Sequence, residues 1–202
     1  GRVDCTNIVP KAHVNAITQI AFDHMDLLGD RLEKIAAEKA GIFKPGAAAI
    51  IGPQSPQAQQ DDIPHKLAAH ARNREAEPFI CATDWHITNG CDETAFTYSD
   101  QTCQIPIKNC GLHGPFQYDN AGTAIAAIRA LQTRDPFFSS IEKEHIKDGI
   151  ARAHWPGRME KIRGEKIRGK DEGREIWFDS AHNDGAGQAV RDCLQSWQRI
   201  SP

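Results

Sequence analysis

The chain has 202 residues and a formal net charge of −3, from 24 basic and 27 acidic side chains. Hydrophobic residues make up 40% and charged residues 25%, an ordinary balance for a globular domain. That balance excludes bulk electrostatic attraction to nucleic acid or to a membrane surface, and no apolar run approaches the roughly 20 residues of a membrane-spanning helix.

VNAITQIAF at 14–22 is rich in apolar and β-branched residues and predicts a buried strand that ends at Asp23-His24. Asp30 and Glu33 stand at capping-box spacing, so a helix is expected over 31–40. Its apolar positions Leu32, Ile35, Ala36 and Ala40 share one face. Lys44-Pro45-Gly46 stops it, and 47–51 predicts a short buried strand. A second helix fits 57–75, with a break or kink at Pro64. Another strand fits 78–82. This alternation predicts an α/β fold with parallel pairing.

Between 85 and 107 the pattern changes. Short alternating segments such as TAFTYS predict antiparallel hairpins. NAGTAIAAIRAL at 120–131 predicts a small-residue helix suited to close packing, and 141–153 predicts another. EIWFD at 175–179 reads as a strand and 185–197 as the helix after it. Residues 161–174 are charge-dense and punctuated by glycine, as in an exposed hairpin or loop.

Six cysteines stand at 5, 81, 91, 103, 110 and 193, and none forms a CxxC pair. A zinc site or disulfide framework is not expected, and free thiols in a reducing cytoplasm are. No signal peptide is read at the start. The first residue is Gly1, and GRVDCTN reads as the interior of a longer chain.

GEKIRGK at 164–170 matches GxxxxGK, but Asp171 follows where a phosphate loop needs Ser or Thr. A strand also follows it rather than a helix, so the match is set aside. Three other features remain open between two readings. Asp23-His24 at a strand's carboxyl end is a ligand position in α/β sheets, or a capping Asp with a surface His. In WPGRME at 155–160, Arg158 follows Pro-Gly in a rigid turn. It is either a phosphate-binding fork or a solvated linker residue. DSAHND at 179–184 ends an apolar strand. Asp179 there is either a ribose acceptor, with His182 and Asn183 facing the same crevice, or part of a helix N-cap cluster.

Taken in order, VDCTN, DHMDLLGD, IAAEKAGIFKPG, GPFQYDNAGTAIAAIRAL, WPGRMEKI and WFDSAHNDGAG resemble the folylpolyglutamate synthase/dihydrofolate synthase family of the Mur ligase superfamily. The blocks run from Gly1 to about Trp197. WPGRMEKI and the charged insert resemble bacterial bifunctional members most.

The resemblance implies part of a Mur-ligase-type central ATPase domain over 1–155, a mostly parallel sheet with helices plus a small antiparallel region. The start of a Rossmann-like C-terminal domain is expected over 156–202. The family's P-loop region lies upstream of Gly1 and most of its C-terminal domain beyond Pro202. The implied chemistry is ATP-dependent addition of L-glutamate to dihydropteroate or folate through an acyl phosphate, with Mg2+, in a cytoplasmic enzyme that is a monomer at full length.

Residue by residue, Lys39 matches the lysine that the family carbamylates. Burial against Ala40, Gly41 and Ile42 would favour the neutral amine that reacts with CO2, and the carbamate's oxygens suit magnesium. The alternative is a surface lysine whose stem lies on apolar side chains. His24 matches the family's magnesium-ligand histidine. Asn120, Arg158 and Asp179 match ATP contacts, with His182 close by, and Val3, Asp4 and Cys5 fall in the pterin-binding segment. Cys5 stands where Ala is common and Asp184 where Pro is common. The alternative readings are another Mur-type ligase, such as one building peptidoglycan precursors, and a non-catalytic nucleotide-binding remnant.

Overall fold

The computed structural model describes residues 5–22, 30–90, 95–162 and 176–198. Three strands, β1 (Val14–Ile17), β2 (Ala48–Ile51) and β3 (Glu77–Ile80), form a parallel sheet in that order. Val14 pairs with Ala48 and Ala48 with Glu77. All four β2 residues are fully buried, as expected for a central parallel strand covered on both faces.

The period-2 alternation of β2 splits the core in two. Ala49 and Ile51 face a cluster with Leu32, Ile35, Phe43, Ile63 and Leu67. Ala48 and Ile50 face a second cluster with Trp85, Phe96, Tyr98, Tyr118 and Ile125. Each buried Ile or Phe contributes roughly 1.5–3 kcal/mol.

The first cluster is covered by helices α1 (Leu32–Lys39), α2 (Pro56–Gln60) and α3 (Ile63–Arg72). The second lies beneath an antiparallel sheet of β4 (Trp85–Asn89), β5 (Phe96–Asp100) and β6 (Gln104–Ile107), with helix α4 (Pro115–Arg134). Gly122 lets α4 approach β4, since a Cβ there would lie 2.3 Å from Ile87 Cδ1. Helix α5 (Lys143–Ala151) follows. A hairpin of β7 (Glu160–Ile162) and β8 (Ile176–Phe178) and helix α6 (Asp184–Gln198) end the described chain.

Three expectations need correcting. The strand at 14–22 is ladder-paired only over Val14–Ile17, because the chain leaves the sheet to build the loop described below. The expected capping box does not form. Arg31 is the N-cap and makes no side-chain capping bond, and Asp30 instead accepts from Lys34 Nζ at 3.0 Å. Glu33 is held by Arg31 at 3.1 Å and by Lys66 on α3 at 3.0 Å. The Lys66 hydrogen bond, then that of Arg31, pulls the Glu33 carboxyl down to about 2. The helix expected over 57–75 is two helices. They part at Asp61 and at Asp62, which is left-handed at φ 57°, so Pro64 sits in the first turn of α3 rather than in a helix interior.

Candidate active-site cleft

The carboxyl ends of β1 and β2 form the floor, where ligands of open α/β sheets bind. Gln54, 8% exposed, staples the two loops there. Its Oε1 accepts from the Ile20 amide at 2.9 Å, and its Nε2 donates to the carbonyls of Thr18 (3.1 Å) and Gly52 (2.9 Å). Gly52 has no room for a side chain, since a Cβ would lie 2.7 Å from Thr123 Oγ1 on α4. The floor and α4 are therefore pressed together.

The amino-terminal half of α4 forms one wall. Gly114 precedes it at φ 103°, and Pro115 opens it. Asn120 Nδ2 donates to Oε1 of the buried Gln117 at 3.1 Å, and Thr123 Oγ1 donates to the Asp119 carbonyl at 2.7 Å. Asp119 was not singled out from the sequence. Burial raises its carboxyl to about 6. Its position immediately before Asn120 was the one available signal, since sequence carries no burial.

The opposite wall comes from 155–158 and 179–190. The Arg158 amide donates to the Trp155 carbonyl at 3.3 Å, closing a turn over Pro156 and Gly157, the latter at φ 73°. Asp179 Oδ2 accepts from the Met159 amide at 2.8 Å and Oδ1 from the Ala181 amide at 2.8 Å. The Ser180 amide donates to the Gly157 carbonyl at 2.8 Å. Asn183 Oδ1 accepts from the Ala186 amide at 2.8 Å, so for Asn183 the capping reading is realised. Gly185 brings α6 against the floor, where an added Cβ would lie 2.9 Å from Ala21 Cβ.

Between these walls lies a cavity of about 630 Å3, lined by Asn120, Arg158 and Asp179 together with Thr18, Phe116 and Trp155. A smaller one of about 210 Å3 adjoins it, with Gln19, Asp119, Thr123 and Asn183. Asn120 borders both. Three residues 38 and 21 positions apart in sequence thus meet around one space. His182 lines neither cavity, contrary to the expectation that it shares the crevice with Asn183. Its Nδ1 donates to the Ser180 carbonyl at 3.0 Å, leaving Nε2 as the outward nitrogen.

Lys39 is half-buried in the last turn of α1 and lines neither cavity. The segment after it is tied to the chain start: Asn7 Nδ2 donates to the Gly41 carbonyl at 3.2 Å, and Lys44 Nζ donates to the Asn7 carbonyl at 3.3 Å. Cys5 opens the short 3-10 turn Cys5–Ile8 that carries Asn7. His24, Val3 and Asp4 lie outside the described residues. Among the described residues no three His, Cys, Asp or Glu side chains gather as metal ligands. Lys39 without a carbamate offers magnesium no oxygen donor, so the described donor set does not make a magnesium site.

The fold is of the Mur-ligase class, with mixed α/β layers built on a parallel sheet and a small antiparallel one. No protein-family model matches the chain. It is 31% identical over 195 residues to the dihydrofolate synthase/folylpolyglutamate synthase of Bacillus subtilis, across 96% of this chain and 42% of that protein. Its identity to the Escherichia coli counterpart is 34% over 189 residues, across 93% of this chain and 38% of that one. A folylpolyglutamate synthase–AMPPCP–folate complex superposes with a TM-score of 0.79 at 26% identity, covering 98% of this chain and 45% of that one. Escherichia coli FolC in complex with DHPP and ADP superposes with a TM-score of 0.72 at 32% identity, covering 97% and 41%. The chain is a homologue of the dihydrofolate synthase/folylpolyglutamate synthases, and it spans less than half the length of the relatives it matches.

Proposed function

We propose that the chain supplies the nucleotide-binding cleft of an ATP-dependent ligase that joins L-glutamate to dihydropteroate or folate. The observation that carries this is the meeting of Asn120, Arg158 and Asp179 around one cavity of about 630 Å3. The ligands named in the solved relatives, AMPPCP with folate and ADP with DHPP, support the same reading.

In this reading the Arg158 guanidinium meets phosphate oxygens, for which its planar fork is suited. Asn120 faces the base. Asp179 offers the ribose the lone pairs left over from its two backbone bonds, and the apolar wall around Phe116 and Trp155 excludes water. A substrate carboxylate oxygen attacks the γ-phosphorus, and ADP leaves. The glutamate amine then attacks the acyl phosphate carbon, phosphate leaves, and the amine's proton passes to solvent. The chain's part is to hold the triphosphate in line and neutralise its charge.

Magnesium belongs to this reading on the resemblance, with His24 and a carbamylated Lys39 as its ligands, and no step is derived through it. Residues 1–155 are read as the second half of the central ATPase domain and 156–202 as the start of the C-terminal Rossmann-like one. The turn at 155–158 is their junction. A cytoplasmic location fits the thiols of Cys81, Cys103 and Cys110, none of which is in a disulfide, and the monomer rests on the resemblance alone.

The test is an ADP-release assay on the natural full-length protein, with glutamate and either dihydropteroate or folate. Pterin-dependent ADP release with a glutamylated product supports the reading. ADP release that needs a peptidoglycan precursor instead, or no turnover with bound nucleotide, overturns it.

A further inference from the structure

Resting on the ATP reading above, we propose that a second cavity bordered by Arg158 is an oxyanion site, which takes the inorganic phosphate that ligation releases. This cavity measures about 380 Å3 and is lined by His113, His154, Arg158, Glu160 and Lys161. Arg158 also borders the 630 Å3 cleft, so one guanidinium belongs to both spaces.

The charge balance of the two spaces differs. In the cleft Arg158 faces Asp179, one positive charge against one negative. In the second cavity Arg158 and Lys161 stand against Glu160 alone, before either histidine gains a proton. Glu160 is engaged with the turn, its Oε2 accepting from the Gly157 amide at 2.9 Å. One indole sets two of the other groups. The His113 ring stands edge-on to Trp177 with centroids 4.9 Å apart, and Lys161 Nζ lies 5.8 Å from the centroid of the same ring. An indole carries no net charge, so Lys161 keeps its own.

The arginines of α4 show what a structural role looks like here. Arg129 is bonded to Asp100, Thr102 and Gln132, and Arg134 pairs with Glu77. Among the described residues no carboxylate forms an ion pair with Arg158. A guanidinium has five N–H donors spread over two edges, so it can meet an oxyanion on each. Phosphate freed at the end of the triphosphate can therefore stay on Arg158 while it passes into the second cavity. Two anions on one guanidinium repel each other, so phosphate held there weakens the hold on the next nucleotide.

The experiment is calorimetric titration of the natural full-length protein with orthophosphate, with AMPPCP, and with AMPPCP in the presence of orthophosphate. The wild type is expected to bind orthophosphate and to bind AMPPCP more weakly in its presence. His154→Glu and Lys161→Gln should each lower the phosphate affinity by about tenfold, the worth of one charge-assisted hydrogen bond. Both should leave the affinity for AMPPCP alone within about twofold, since neither residue lines the cleft. L-glutamate, titrated in the same way, should bind equally to the wild type and the two variants. No phosphate binding by the wild type overturns the proposal. So does a phosphate affinity that both folded variants keep, which would put the anion at the nucleotide's own phosphate position. A loss of glutamate binding in the variants with phosphate binding unchanged overturns it as well, since the cavity would then be the amino acid's. Failure of the wild type to bind AMPPCP overturns the ATP reading itself, a result separate from all three.

Discussion

Asp179 holds Met159 across twenty residues of chain, its Oδ2 accepting from the Met159 amide at 2.8 Å. The other oxygen takes the Ala181 amide, so a single carboxylate latches the Pro-Gly turn to the strand end beside it.

Asp179→Ala leaves two backbone donors without acceptors. The expected cost is about 1–3 kcal/mol in urea denaturation. Affinity for an ATP analogue should fall with it, since the turn that carries Arg158 loses its anchor. Asp179→Asn, which keeps one acceptor oxygen, should lie between Ala and wild type. Unchanged stability in the Ala variant would remove the latch from the account.

Gly122→Ala tests the approach of α4 to the antiparallel sheet. The new methyl would meet Ile87 within 2.3 Å of its Cδ1. Overpacking of this kind costs about 1–3 kcal/mol. The double change with Ile87→Val should recover part of it, and a simple sum of the two single costs would show that the positions do not touch.

Asp119 predicts a pH dependence. Burial lifts its carboxyl from 3.8 to about 6, so the folded chain holds this proton more tightly than the unfolded one. The group's contribution is full below the lower value and is lost as pH rises through the upper one. Asp119→Asn is therefore expected to raise stability at pH 7.5 by roughly 1 kcal/mol, discounted because the carboxyl borders an open cavity. It should also flatten the melting temperature between pH 4 and 6. A variant less stable than wild type at pH 7.5 would show that the charged form is favoured instead.

Lys39→Ala in the full-length protein is expected to abolish ligation while leaving the far-ultraviolet circular dichroism spectrum unchanged. Short carboxylic acids should restore part of the activity by standing in for the lost carbamate. Turnover at the wild-type level would end the carbamate reading.

The sheet was legible because β2 is buried on both faces and the sequence AAAII has no other use. Small residues foretold α4, and Gly122 and Gly52 give the reason, both being places where no Cβ fits. Capping at α1 was misread because Asp30 and Glu33 had better partners in Lys34 and Lys66, the second on another helix. Local spacing cannot report such a competitor. The break at Asp62 was likewise set by a left-handed residue two positions before the proline that suggested it.

The cleft was legible in part. Arg158 and Asp179 were chosen as separate features, and the structure joins them through Met159. Asn120 came from the resemblance, and its link to Gln117 needed coordinates. Asp119 was invisible because its property is burial, which depends on residues far along the chain. His182 was grouped with Asn183 by adjacency, yet its ring turns to Ser180.

Gln54 adds a consequence for kinetics. It ties three backbone groups in two loops, those of Thr18, Ile20 and Gly52, through one side chain that is itself withdrawn from water. Loops without such a tie must be ordered by the incoming ligand, at a cost in entropy for every residue stilled. Here that ordering belongs to folding, so molecules arriving at the strand ends meet a surface already shaped, and their association rate is set by diffusion and orientation rather than by waiting for loops to settle.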